Sequence, residues 1–134
     1  RPVTLADYLA HIHEAIARID RYTEDMNELA FLNDKLVQDA VIRNFEIIGE
    51  ASNNIEMHYP EFASAHPELP LAFVYQICNA VAHGYFKVDF EIVWETTARI
   101  IGWVIPLSAW VHKVNDCLGE ALVRYRTEHL EAGS

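Results

Sequence analysis

Apolar residues recur at three- and four-residue steps along the first quarter of the chain: Leu5, Tyr8, Leu9, Ile12, Ala15, Ile16 and Ile19. That spacing places all seven side chains on one face of an α-helix and is incompatible with a half-buried strand, whose period is two. Thr4 precedes the run with Asp7 three residues on, an approximate capping box, so a helix is predicted over about 4–22. The same spacing returns at Val37, Val41, Phe45, Ile48 and Ile55, widened by Ala40, Ile47 and Ala51. The second helix is therefore expected from Asn33-Asp34 to about His58, before Tyr59-Pro60 breaks it.

Residues 60–69 read as a connector with room for a helical turn. Pro70 suits the first position of a third helix, which should stop near Gly84. Residues 86–89 read as a loop, and Asp89 caps a fourth helix through Ile92, Val93, Trp94, Ile100 and Ile101. Pro106 must kink or end that helix, and a last helical stretch is expected over about 108–129. No alternating strand pattern and no internal repeat is present. The fold class is all-α, an antiparallel bundle of four to five helices.

At 134 residues the length fits one domain, residues 1–134. The most apolar stretch, Ile100 to Val111, spans twelve residues and contains Pro106. A membrane span needs roughly 20 apolar residues, so a core or subunit-interface helix is expected and no membrane association. The first residues carry no recognisable secretory signal, and two cysteines are too few for a disulfide framework. Both point to a reducing, cytoplasmic setting. Trp94, Trp103 and Trp110 are expected to pack in the core or an interface. Twenty Asp and Glu against ten Lys and Arg give a net charge of -10, which argues against nucleic acid unless a local basic pocket overrides the average.

Two polar constellations stand out. Asn79 and His83 are four apart and share a helix face, with His83 in the last turn beside Gly84 and Tyr85. Read plainly, His83 is a C-terminal helix residue favoured by the macrodipole. Asp39, Arg43, Glu46 and Glu50 form a polar stripe at steps of four, three and four along the second helix. That stripe is either a solvated face with Arg43 paired to its acidic neighbours, or a seam facing a cleft. His11 and His13 diverge on a helix, neither HExxH nor CxxC occurs, and no phosphate-binding glycine loop is offered, so no metal site is expected.

Taken together, the segments Ile47-Ile-Gly-Glu-Ala51, Asn79-x-x-x-His83-Gly84-Tyr85-Phe86, Val88-Asp89 and Val93-Trp94-Glu95 resemble the HEPN superfamily. More narrowly they resemble the HepT-like toxins, which are encoded beside minimal nucleotidyltransferases. The resemblance covers about residues 5–105, leaving an extra C-terminal stretch of about 106–130. It implies a dimerising HEPN-like bundle whose Arg-Asn-x-x-x-His motif, continued as His-x-Tyr, cleaves RNA without a metal. On that implication His83 moves the proton as a ribose 2′-hydroxyl attacks the adjacent phosphate, and Asn79 orients groups in the site. An arginine would hold the phosphate bidentately. Tyr85 would be the residue to which the partner nucleotidyltransferase antitoxin attaches AMP, adding charge and blocking RNA access. Cleavage would need no cofactor; ATP and Mg²⁺ would belong to the partner's reaction.

At one position the chain departs from that pattern. Cys78 stands where the family has its arginine. A thiol is mostly neutral at pH 7 and cannot fork onto a phosphate. By analogy with other phosphate-clamping arginines, its absence costs on the order of a thousandfold in rate. The chain is thus expected to be a weakened or inactive ribonuclease. Natural divergence toward binding, a deliberate inactivating substitution and an escape substitution are the three origins open, and the otherwise intact motif favours a substituted toxin. Arg43 could restore part of the charge if it points toward His83, with Glu50 supporting, but not if it is tied to Asp39, Glu46 or Glu50. The competing reading is a non-catalytic subunit that presents a nucleotide or RNA to its nucleotidyltransferase. A plain helical dimerisation module, with His83 structural, is a third.

Overall fold

A computed structural model describes residues 3–67, 69, 71–82 and 89–102. Its elements are α1 (Leu5–Thr23), α2 (Glu28–Leu32), α3 (Lys35–His58), α4 (Pro60–Ala65), α5 (Leu71–Ala82) and α6 (Phe90–Ile101). No strand occurs among the described residues. The all-α expectation therefore holds, and its four long helices are α1, α3, α5 and α6.

The helix starts follow from their caps. Thr4 accepts from the Asp7 backbone N–H while the Asp7 carboxylate accepts from the Thr4 N–H, a complete capping box. Asp34 accepts from the N–H of Val37, and Asp89 from those of Glu91 and Ile92, so α3 and α6 begin where the sequence places them. Pro60 opens α4 at its first turn, where its missing N–H has no helical partner to lose.

Central to the bundle is α3, which packs against α1 on one flank and α5 on the other. Leu9, Ile12, Ile16 and Ile19 of α1 meet Val41, Phe45, Ile48 and Ile55 of α3 in one buried cluster. The two helices run antiparallel: Arg18 reaches Asn44, whereas Tyr8 and His11 lie beside Ile47 and Asn54. From α5, Leu71, Val74 and Cys78 enter the same core, and from α6 Val93 and Ile100.

Helix α2 is not anticipated by the sequence reading. Five residues are too few to display a period. Asn27 caps it through the Ala30 N–H at 2.8 Å, and Asn33 closes it by donating to the Leu29 carbonyl at 2.8 Å. Phe31 is its anchor, fully buried and tilted against Trp94 with ring centroids 5.3 Å apart. The buried Gln38 of α3 donates to the Phe31 carbonyl at 2.9 Å, tying α2 down. Trp94 thus packs as expected. Trp103, Trp110, Pro106, the loop at 86–88 and the stretch 106–130 lie outside the described residues. No described helix is long and apolar enough to cross a membrane.

Candidate functional site

The polar stripe of α3 faces a cleft. Arg43, Glu46, Glu50 and Asn53 form one wall and Tyr75 and Asn79 of α5 the other, around a space of about 360 Å³. Asp39, the first residue of the stripe, is exposed and does not line it. The floor is Gly49, buried between the helices. A Cβ there would stand 3.3 Å from Cys78 Cβ and 3.9 Å from both the Asn79 nitrogen and Tyr75 Cδ2. The missing side chain at 49 is what lets α5 approach α3 so closely and leaves the cleft its depth.

The stripe holding Arg43, Glu46 and Glu50 and the motif residue Asn79 are separate features of the sequence, and the structure brings them to one cleft. The sequence does not single out Tyr75, whose place four residues before Asn79 reads as ordinary core spacing. Half-buried in the structure, Tyr75 shares the α5 face of Asn79.

Arg43 pairs with Glu46. Its Nη1 lies 3.1 Å from Glu46 Oε2, and its side chain is 67% exposed. An exposed pair three residues apart contributes no more than about 0.5 kcal/mol. The pair is therefore weak, and Arg43 is the one cation among the residues lining the cleft. The Glu50 carbonyl accepts from Asn54 Nδ2 at 2.9 Å, while its exposed carboxylate makes no hydrogen bond or ion pair among the described residues.

Cys78 does not face the cleft. It is wholly buried at the seam over Gly49, and burial pushes its thiol from 9.0 up to about 12. Such a thiol is neutral and neither a nucleophile nor an anion ligand at pH 7. His83 and Tyr85 lie outside the described residues, so the structure carries the site as far as Asn79.

A second groove, of about 350 Å³, runs between α1 and α3. Tyr8, His11, Ile47 and Asn54 border it, and Glu50 is the residue it shares with the first cleft. Among the described residues, no three His, Cys, Asp or Glu side chains converge as metal ligands.

The described residues form an all-α arrangement consistent with a HEPN-like bundle. The family model described as ribonuclease HepT-like matches residues 12–106, and the chain belongs to the HepT-like family. Over 95 residues it is 43% identical to a Thermococcus cleftensis protein described as "probable ribonuclease HepT", covering 71% of this chain and 84% of that one. A Methanocaldococcus jannaschii protein described as "gamma-glutamylcyclotransferase and putative RNase" is 39% identical over 94 residues, which span 41% of its length. A second protein from that organism, described as a "putative RNase", is 35% identical over 88 residues, covering 66% of this chain and 70% of its own. No solved structure matches the chain.

Proposed function

We propose that this chain is the toxin-type member of a toxin–antitoxin pair, a homodimeric, metal-independent RNA endonuclease in which Cys78 leaves cleavage weakened or absent. Family membership and the ribonuclease descriptions of its relatives support the reaction class. The observation that carries the proposal is the position of Asn79 on the cleft wall, four residues before His83 in the sequence. In this reading His83 moves the proton of the attacking 2′-hydroxyl and Asn79 orients the phosphate or the ribose. An arginine at 78 would supply the phosphate-holding charge that a buried, neutral thiol cannot. Tyr85 receives AMP from a minimal nucleotidyltransferase, whose ATP and Mg²⁺ the toxin itself does not use. The chain acts as a single domain in the cytoplasm.

One observation favours a second reading, a non-catalytic nucleotide- or RNA-binding partner of that nucleotidyltransferase. The cleft walls carry one arginine against two glutamates, and the arginine is already paired. Such walls attract a phosphate poorly.

Regulated expression in host cells tests the proposal. The chain should be tolerated and its Cys78→Arg variant, at equal soluble yield, should arrest growth. The arrest should disappear with His83→Ala, or with co-expression of the nucleotidyltransferase accompanied by AMP on the Tyr85 peptide by mass spectrometry. A soluble Cys78→Arg variant as harmless as the parent moves the binding-subunit reading to the front.

A further inference from the structure

We infer that Glu50 makes the cleft a guanine-selective base pocket, so that the RNA enters it base first. The inference deepens the ribonuclease reading by naming the substrate feature the site selects. It starts from a mismatch: a cleft offered to a polyanion has a carboxylate on its wall that nothing among the described residues neutralises. With a chain net charge of -10, no phosphate gains by approaching Glu50. A nucleotide can approach it only with hydrogen-bond donors foremost, and those are on the base.

The four bases differ in what they present to a carboxylate. Guanine offers N1–H and the exocyclic amine side by side, two parallel donors that match the two oxygens of one carboxylate. Adenine and cytosine each offer an amine flanked by a ring-nitrogen acceptor, which a carboxylate repels. Uracil offers one N–H between two carbonyls. Recognition of unpaired bases on their Watson–Crick edges is the common mode for single-stranded RNA, with an aromatic ring to stack on. Tyr75 supplies that ring on the opposite wall, and stacking on it is indifferent to base identity. The space of about 360 Å³ admits a single nucleoside. Arg43, exposed and only weakly paired with Glu46, is free to meet a phosphate that enters behind the base.

Binding of 3′-GMP, 3′-AMP, 3′-CMP and 3′-UMP to the full chain, followed by NMR shifts of the Tyr75 and Asn79 amides, tests the inference. Expected is affinity for 3′-GMP at least about tenfold above the other three, the discrimination of one good bidentate pair. Glu50→Gln, which replaces one acceptor by a donor, should erase that preference without moving the unfolding midpoint. Tyr75→Leu should weaken all four alike. Equal affinities, no binding at all, or a guanine preference that survives Glu50→Gln would each overturn it. The cleavage reading fails separately: guanine preference with no cleavage by any variant keeps the pocket and removes the ribonuclease, whereas cleavage by Cys78→Arg at all four bases does the reverse.

Discussion

Gly49 and Cys78 form the contact on which the cleft is built: a Cβ on the first would stand 3.3 Å from the Cβ of the second. Both atoms are fixed by helix backbones, so neither can swing away. Gly49→Ala should therefore destabilise the chain despite the better helix propensity of alanine. Overpacking costs about 1–3 kcal/mol, against a propensity gain of about 1 kcal/mol. Urea unfolding should show a net loss of about 1 kcal/mol, the excess of the first term over the second. A stabilised variant would mean that α3 and α5 separate freely.

The same seam sets the chemistry of Cys78. Its thiol is raised by burial from 9.0 to about 12, so the folded chain holds this proton where the unfolded chain has released it. The stabilisation is whole below pH 9 and is lost as pH rises through about 12. In a Cys117→Ser background, thiol labelling at pH 8 should be slow in buffer and fast in urea. Unfolding free energy should fall by up to about 1.4 kcal/mol per pH unit in that window. Rapid labelling of the native chain would place the thiol at the surface.

Arg18 and Asn44 join α1 to α3. Arg18 Nε donates to Asn44 Oδ1 at 2.8 Å, and the buried Asn44 donates through Nδ2 to the Ala40 carbonyl at 2.8 Å. Alanine at either position should cost about 1–2 kcal/mol, and the double variant should show a coupling near 1 kcal/mol. Strict additivity would mean that the bond contributes nothing.

Ser52 is the opposite case. Its Oγ is fully buried with no hydrogen-bond partner among the described residues. Removing an unpaired hydroxyl spares its desolvation cost, so Ser52→Ala should leave thermal stability unchanged or raise it by about 1 kcal/mol. A loss above that would reveal a partner for the hydroxyl.

These contacts mark where the sequence is legible and where it is not. Thr4, Asp34 and Asp89 act through bonds to residues two or three positions on, so their caps could be read directly. The helical faces of α1 and α3 were equally open, because period is a local property. Helix α2 escaped because five residues have no period; Asn27 followed by an apolar Phe31 was the only available sign. The Arg18–Asn44 bond spans 26 positions and left no trace in spacing. At the site, Asn79 and Glu50 were identified from motif and stripe, but their sharing of one cleft depends on how closely α5 sits on α3. That distance is set by Gly49, and the burial of Cys78 with it. Tyr75 carried no signal apart from its four-residue step to Asn79.

On the proposed function, the residue at position 78 separates this chain from an active ribonuclease. The direct measurement is the rate of RNA cleavage in EDTA by the chain, by Cys78→Arg, and by Cys78→Arg with His83→Ala. The account predicts that Cys78→Arg cuts on the order of a thousandfold faster than the parent, leaving 2′,3′-cyclic phosphate ends, and that the double variant does not cut. A folded Cys78→Arg variant that fails to cleave a broad RNA panel, or one whose cleavage survives His83→Ala, would contradict it.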